Sequence, residues 1–118
     1  MEYIASESHY YKVIADSKPS VLLFKAQWCG DCRYIEPFMP EVEASYQERL
    51  SFYTIDRDQL PELSQQLGIL GIPSFLVYRH NQELIRFVSK LRKTREEIER
   101  FLDRAVTVAA AMPPLSDR

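Results

Sequence analysis

Val21-Leu22-Leu23-Phe24-Lys25-Ala26-Gln27-Trp28-Cys29-Gly30-Asp31-Cys32 is an apolar run, broken by Lys25, that gives way to two cysteines separated by two residues. The apolar part reads as a strand buried on both faces, hence central in a sheet that helices cover. Ile35, Phe38, Met39, Val42 and Tyr46 then recur at helical spacing, which sets the cysteines at a strand-to-helix corner. At the first turn of a helix the unpaired N–H groups and the positive end of the macrodipole favour an anion, so Cys29 is expected to be held partly as thiolate. Cys32 returns to the same helical face, within reach of any mixed disulfide formed at Cys29. Cys29 is thus the expected exposed nucleophile, and Cys32 the covered resolving thiol.

The pair has two other readings, on which composition bears. Half of a zinc site has the same spacing, but zinc needs two further ligands. The chain has no third cysteine, and His9 and His80 lie in segments with no sign of converging on the pair, so no metal is expected. Two buried structural cysteines are the other alternative, against which Trp28, Gly30 and Asp31 argue for an exposed corner.

The 118 residues suffice for one domain with a real core, expected over residues 1–110, with 111–118 as a frayed tail. With 46% hydrophobic and 27% charged residues the chain belongs with soluble globular proteins, and a net charge of −2 gives no reason to expect nucleic acid. No apolar stretch approaches the ~20 residues of a membrane span. Met1 to Lys12 lack the basic start and apolar core of a secretory leader. The expected compartment is therefore the cytoplasm, where such a pair is more often catalytic than a permanent staple.

Elsewhere the pattern predicts a helix over Ser8–Ala15, a helix from Gly30 to about Arg49 kinked at Pro37, and a strand over Leu50–Ile55. A short helix over Gln59–Leu67 should end at Gly68, and Ser74–Tyr78 with Glu83–Val88 should form an antiparallel hairpin. Thr94-Arg95-Glu96-Glu97 is a capping box opening a last helix, with Ile98, Phe101, Leu102, Ala105 and Val106 on its apolar face. Right-handed crossovers make the first strands parallel, giving an α/β fold with a mixed sheet between helical layers.

Phe24-Lys25-Ala26-Gln27-Trp28-Cys29-Gly30-Asp31-Cys32, the helix-kinking Pro37, Ile55-Asp56 and Gly68-Ile69-Leu70-Gly71-Ile72-Pro73 together resemble the thioredoxin family, from about Tyr10 to Val106. The resemblance implies the thioredoxin fold, a central mixed sheet with helices on both faces. It also implies a cis Ile72–Pro73 peptide facing the cysteines, with the Ile72 backbone as an edge for an extended client segment. An ordinary strand-starting proline is the alternative for Pro73. The implied activity is reduction of protein disulfides by a Cys29/Cys32 dithiol cycle, with Trp28, Gly30, Asp31, Ile72 and Pro73 contacting the client and no cofactor. The implied partners are disulfide-bearing proteins and an NADPH-dependent flavoprotein reductase, for a chain working as a monomer.

Three departures from the family stand out. Its buried Asp beneath the cysteines and the matching Lys correspond here to Leu23 and Phe52. Losing both together avoids an unpaired buried charge, which costs several kcal/mol. Glu36, one helical turn after Cys32, is the candidate proton acceptor, since a carboxyl partly covered beside Pro37 would hold a proton more readily; a solvated helix glutamate is the other reading. Asp31 stands where a proline is common. Its repulsion of a thiolate at ~7 Å, roughly 0.6–2.4 kcal/mol before screening, opposes the benefit of an acid at a helix N-terminus, which leaves the sign open. Lastly, Arg86, Lys90, Arg92, Lys93 and Arg95 form a basic run, read either as solvated surface or as a rim that steers an acidic partner. On the second view the chain could be a redox-sensing interaction module docking through that rim, the alternative to the reductase.

Overall fold

The structure, a computed structural model, describes residues 1–112. Its elements run β1 (Glu2–Tyr3), α1 (Glu7–Ile14), β2 (Ser20–Lys25), α2 (Gly30–Ile35), α3 (Met39–Tyr46), β3 (Ser51–Asp56), α4 (Pro61–Gln66), β4 (Ser74–Arg79), β5 (Gln82–Phe87) and α5 (Arg95–Ala111). The expected tail loses its first residue to α5, and residues 113–118 of it lie outside the described residues.

One sheet carries the strands in the order β1-β3-β2-β4-β5. β2 is the central strand, parallel to β3 and antiparallel to β4, and β5 closes the far edge as the second arm of the hairpin. The apolar alternation of β2 serves two layers. Leu22 and Phe24 pack with Tyr10, Val13 and Ile14 of α1 and Leu63 of α4. Val21 and Leu23 pack with Ile35, Met39 and Val42 on one side of the other layer, and with Ile98, Phe101 and Leu102 of α5. A strand buried on both faces fixes the start of the next helix rigidly, which is what the cysteine corner needs.

Two local features differ from the sequence reading. The single kinked helix is two helices, because Pro37 cannot donate to the Arg33 carbonyl nor Pro40 to that of Glu36, and two losses three residues apart break the ladder. Strand β1 was not foreseen; its two residues pair with Tyr53 and Thr54 of β3. The last helix opens as expected: the Thr94 side chain accepts from the Glu97 N–H, and the Glu97 side chain accepts from the Thr94 N–H. Gly68 ends the α4 region at φ +70°, a conformation that costs a side-chain-bearing residue most.

Candidate active site

Cys29 is the N-cap of α2, in extended conformation, and its sulfur accepts a hydrogen bond from the Cys32 N–H at 3.1 Å. An N–H of the first helical turn, one that lacks a carbonyl partner, thus points at sulfur, a placement that favours negative charge there. The Cys29 thiol donates across to the Ile72 carbonyl at 3.6 Å, joining the corner to the loop before β4. Ile72–Pro73 is a cis peptide. Both cysteines are free thiols.

A shallow groove runs over Cys29, walled by Trp28, Gly30 and Asp31 on one side and by Gly71, Ile72 and Lys90 on the other. Of the residues singled out from sequence, Trp28, Cys29, Gly30, Asp31 and Ile72 therefore meet at one place, with Pro73 next in the chain. Cys29 is more covered than the corner predicts, at 5% exposure, because the Ile72 loop folds over it; Cys32, at 0%, is wholly inside. Burial, reinforced by the hydrogen bond with Cys29, pushes the Cys32 thiol up to about 12. It therefore stays protonated until something takes the proton away.

Trp28 is 58% exposed yet fixed. Its indole N–H donates to Asp58 at 2.6 Å, and the Arg57 guanidinium lies 5.2 Å from the ring centroid. Arg57 and Asp58 were not anticipated, although they directly follow the Ile55-Asp56 pair that carried part of the resemblance. Gly71 is required by close approach: a Cβ there would sit 2.2 Å from the Ser89 carbonyl oxygen. Gly30 by contrast faces open space.

Glu36 is not in this groove. It lines a separate cleft of about 240 Å³ together with Cys32, Leu23, Lys25 and Glu43, the one concavity of these two that reaches Cys32. Glu36 is exposed, so the cover expected beside Pro37 is missing.

The basic run does not form a free rim. Arg86 is clamped bidentately by Glu83 and also donates to the Leu67 carbonyl. Arg95 pairs with Glu41 and Glu99. Arg92 donates to Asp31 at 2.9 Å while stacking 4.4 Å from the Tyr34 ring centroid, so the charge between the cysteines has a partner 61 residues away. Lys93 is buried, and Lys90 is the exposed member that lines the groove. A steering surface built from all five is thereby corrected, since their partners come from distant segments that a local count of charges does not see. Among the described residues no group of three or more His, Cys, Asp or Glu gathers to hold a metal ion, and no helix is long and apolar enough to cross a membrane.

The family model described as thioredoxin matches residues 2–104. The chain is 32% identical over 101 residues to thioredoxin of Acidithiobacillus ferridurans, covering 86% of this chain and 92% of that one. It is 32% identical over 91 residues to the mitochondrial thioredoxin-2 of Schizosaccharomyces pombe, covering 77% and 68%. Among solved structures, the thioredoxin of Malassezia sympodialis superposes with a TM-score of 0.75 over 93% of each chain at 25% identity. A bifunctional thioredoxin reductase/thioredoxin of Mycobacterium leprae is 26% identical over 85 residues, which are 72% of this chain and 19% of that protein.

Proposed function

The chain belongs to the thioredoxin family, and from that premise we propose how its residues divide the work of a protein-disulfide oxidoreductase. The Cys29 thiolate attacks one sulfur of a client disulfide, forming a Cys29–client bond and expelling the other client sulfur as thiolate, which takes a proton from solvent. Cys32 then loses its proton and attacks the Cys29 sulfur. That forms the Cys29–Cys32 disulfide and releases the second client thiolate, so two electrons have passed to the client.

The observation that carries this division is the asymmetry of the two sulfurs. Cys29 lies in the groove, capped by a helix N–H and facing the Ile72 carbonyl, whereas Cys32 lies outside that groove with no exposed surface. The client backbone lies against the Ile72 edge, with Trp28, Gly30 and Asp31 opposite and Pro73 shaping the turn. Glu36 takes the Cys32 proton through the cleft the two share. The dithiol is regenerated by a thioredoxin reductase, an NADPH-dependent flavoprotein, a reading supported by the relative in which reductase and thioredoxin share one chain. The working unit is the domain over residues 1–110, acting as a monomer and passing electrons in the cytoplasm.

The test is turnover of an insulin-type protein disulfide with a dithiol reductant, followed by trapping. Cys32→Ser should accumulate stable client mixed disulfides through Cys29, and Cys29→Ser should accumulate none. Trapping by the second variant alone reverses the assignment; tight client binding with no turnover by the parent favours the interaction module.

A further inference from the structure

The groove over Cys29 is cationic, on a chain whose net charge is −2. Arg57, from the link between β3 and α4, and Lys90, from the link between β5 and α5, both line it beside Trp28, Asp31 and Ile72. The lining has one carboxylate, Asp31, and that already accepts from Arg92 at 2.9 Å. Among the described residues Arg57 and Lys90 enter no ion pair, and neither side chain donates a hydrogen bond to the protein. Arg86 and Arg95 are by contrast spent on carboxylates of their own.

Arg57 is nonetheless held in place. Its guanidinium lies 5.2 Å from the Trp28 ring centroid, and the indole N–H donates to Asp58 at 2.6 Å, which fixes the ring in turn. The Arg57 N–H donates to the Lys25 carbonyl, so the backbone carrying the side chain is tied to the end of the central strand. A guanidinium stacked on a ring keeps its edge donors free, and those donors match the two oxygens of a carboxylate. A cation already ordered in this way loses little further freedom when a partner arrives. The acids next to it in the chain are committed: Asp58 accepts from the indole, and Asp56 accepts from the Asp58 N–H. Asp58 opens on a neighbouring hollow beside Pro61 and Ile69, which Arg57 also borders, and not on the groove over Cys29.

A client brings its disulfide to Cys29 along the Ile72 edge, and an extended chain advances about 3.3 Å per residue. Side chains within about two positions of the client cysteine therefore lie over the walls where Arg57 and Lys90 stand. We propose that Arg57 and Lys90 are specificity-determining residues, and that the groove selects protein disulfides whose cysteine is flanked by Glu or Asp. The selection rests on the reading of Cys29 as the attacking sulfur, and it supplies the chemistry of the client. An exposed ion pair contributes about two- to five-fold, so the two cations together favour an acidic client over a neutral one by about four- to twenty-five-fold at low salt.

The experiment oxidises the reduced full-length chain with symmetrical disulfide dimers of a short peptide, Ala-X-Cys-X-Ala, where X is Glu, Gln or Lys. Each turnover converts one dimer into two peptide thiols and leaves the Cys29–Cys32 disulfide, so no other reductant is needed. Single-turnover rates at low and high salt are divided by the rate at which dithiothreitol reduces the same dimer, which removes the peptide's own reactivity. The parent should react at least about four-fold faster with the Glu dimer than with the Gln dimer, and slowest with the Lys dimer, the spread closing at high salt. Arg57→Gln and Lys90→Gln should each cut the Glu-to-Gln ratio by at least about two-fold, and Arg57→Lys, which keeps the charge, should keep most of it. Taking the ratio cancels any loss of rate common to all three dimers. A parent with no preference for Glu, a preference that survives high salt, or a ratio unchanged in either Gln variant overturns the proposal. An equal loss in Arg57→Lys and Arg57→Gln also overturns it, because it assigns Arg57 to holding Trp28 and not to the client. A parent that none of the dimers oxidises, or whose mixed disulfide forms on Cys32, refutes the reading of Cys29 itself.

Discussion

Gly71→Ala tests the junction on which the groove depends. The added methyl would lie 2.2 Å from the Ser89 carbonyl oxygen, 2.7 Å from the Ser89 carbonyl carbon and 2.8 Å from Lys90 Cα, all backbone atoms that cannot rotate away. Relief requires the Gly71 and Ser89 segments to separate by roughly 1 Å, an overpacking that costs about 1–3 kcal/mol. At this chain length that corresponds to a fall in Tm of about 5–15 °C. The displacement passes directly to Ile72, whose carbonyl faces Cys29 at 3.6 Å. Misplacement of that order can cost up to about 10²-fold in rate, so reduction of a protein disulfide should fall by about 10- to 100-fold. The matched control is Gly30→Ala, where no atom stands within 4 Å and the residue opens α2. There alanine should hold or raise stability, by up to about 1 kcal/mol. Thermal unfolding and insulin-type reduction by the two variants decide the matter. A Gly71→Ala protein that melts and turns over like its parent would show that the loop contact is soft and that the groove is not built on it.

Glu36→Gln should leave the first attack by Cys29 intact and slow resolution of a pre-formed mixed disulfide near neutral pH, by at most about 10²-fold because water can accept the proton less well. Single-turnover kinetics across pH measure it, and equal rates at every pH would return Glu36 to the surface. Arg92→Gln unpairs Asp31 but removes an exposed pair worth about 0–1 kcal/mol, so Tm should change little while the salt dependence of client reduction shifts. Identical salt dependence in the two proteins would exclude a part for that pair in client approach. The Cys32 thiol is raised in the folded state from its ordinary 9.0 to about 12. Between those values the native reduced protein keeps a proton the unfolded chain has released. This contribution to stability is therefore complete below pH 9 and is lost as pH rises toward 12. Urea midpoints of reduced and oxidised protein at about pH 8 and pH 11 isolate the effect, since raised tyrosines such as Tyr46 and Tyr78 occur in both forms. A reduced protein that loses no more stability than the oxidised one contradicts it.

The elements legible in the sequence are those whose cause is local. The apolar run of β2, the capping box at Thr94 and Glu97, and the hairpin each follow from residues a few positions apart, and each stands where periodicity puts it. Strand β1 was not legible because two exposed residues have no periodicity; only their pairing with β3 makes them a strand. The break before α3 needed Pro40 to be weighed with Pro37, since one proline kinks a helix and two in succession end it.

The charges around the dithiol show where local reading fails and why. Arg92 sits in a run of like charge, yet its nearest partner is Asp31, brought to it by the packing of the β5–α5 segment over α2. Arg95 likewise finds Glu41, 54 residues back in the chain. Counting neighbours in sequence adds these charges together; folding pairs them off. Lys93 was open to a better reading, because the same capping box that located α5 marks the residue before the cap as a buried seat. A lysine there is not one more member of a solvated run. It is the exception in that run, a lysine that the fold buries against the Phe87 ring and two backbone carbonyls. In a chain whose central strand has Leu23 beneath the cysteines, the positive charge that reaches Cys32 is that of Lys25, which lines the same cleft as Glu36 and favours the thiolate, whereas Asp31 is already paired with Arg92 at the surface.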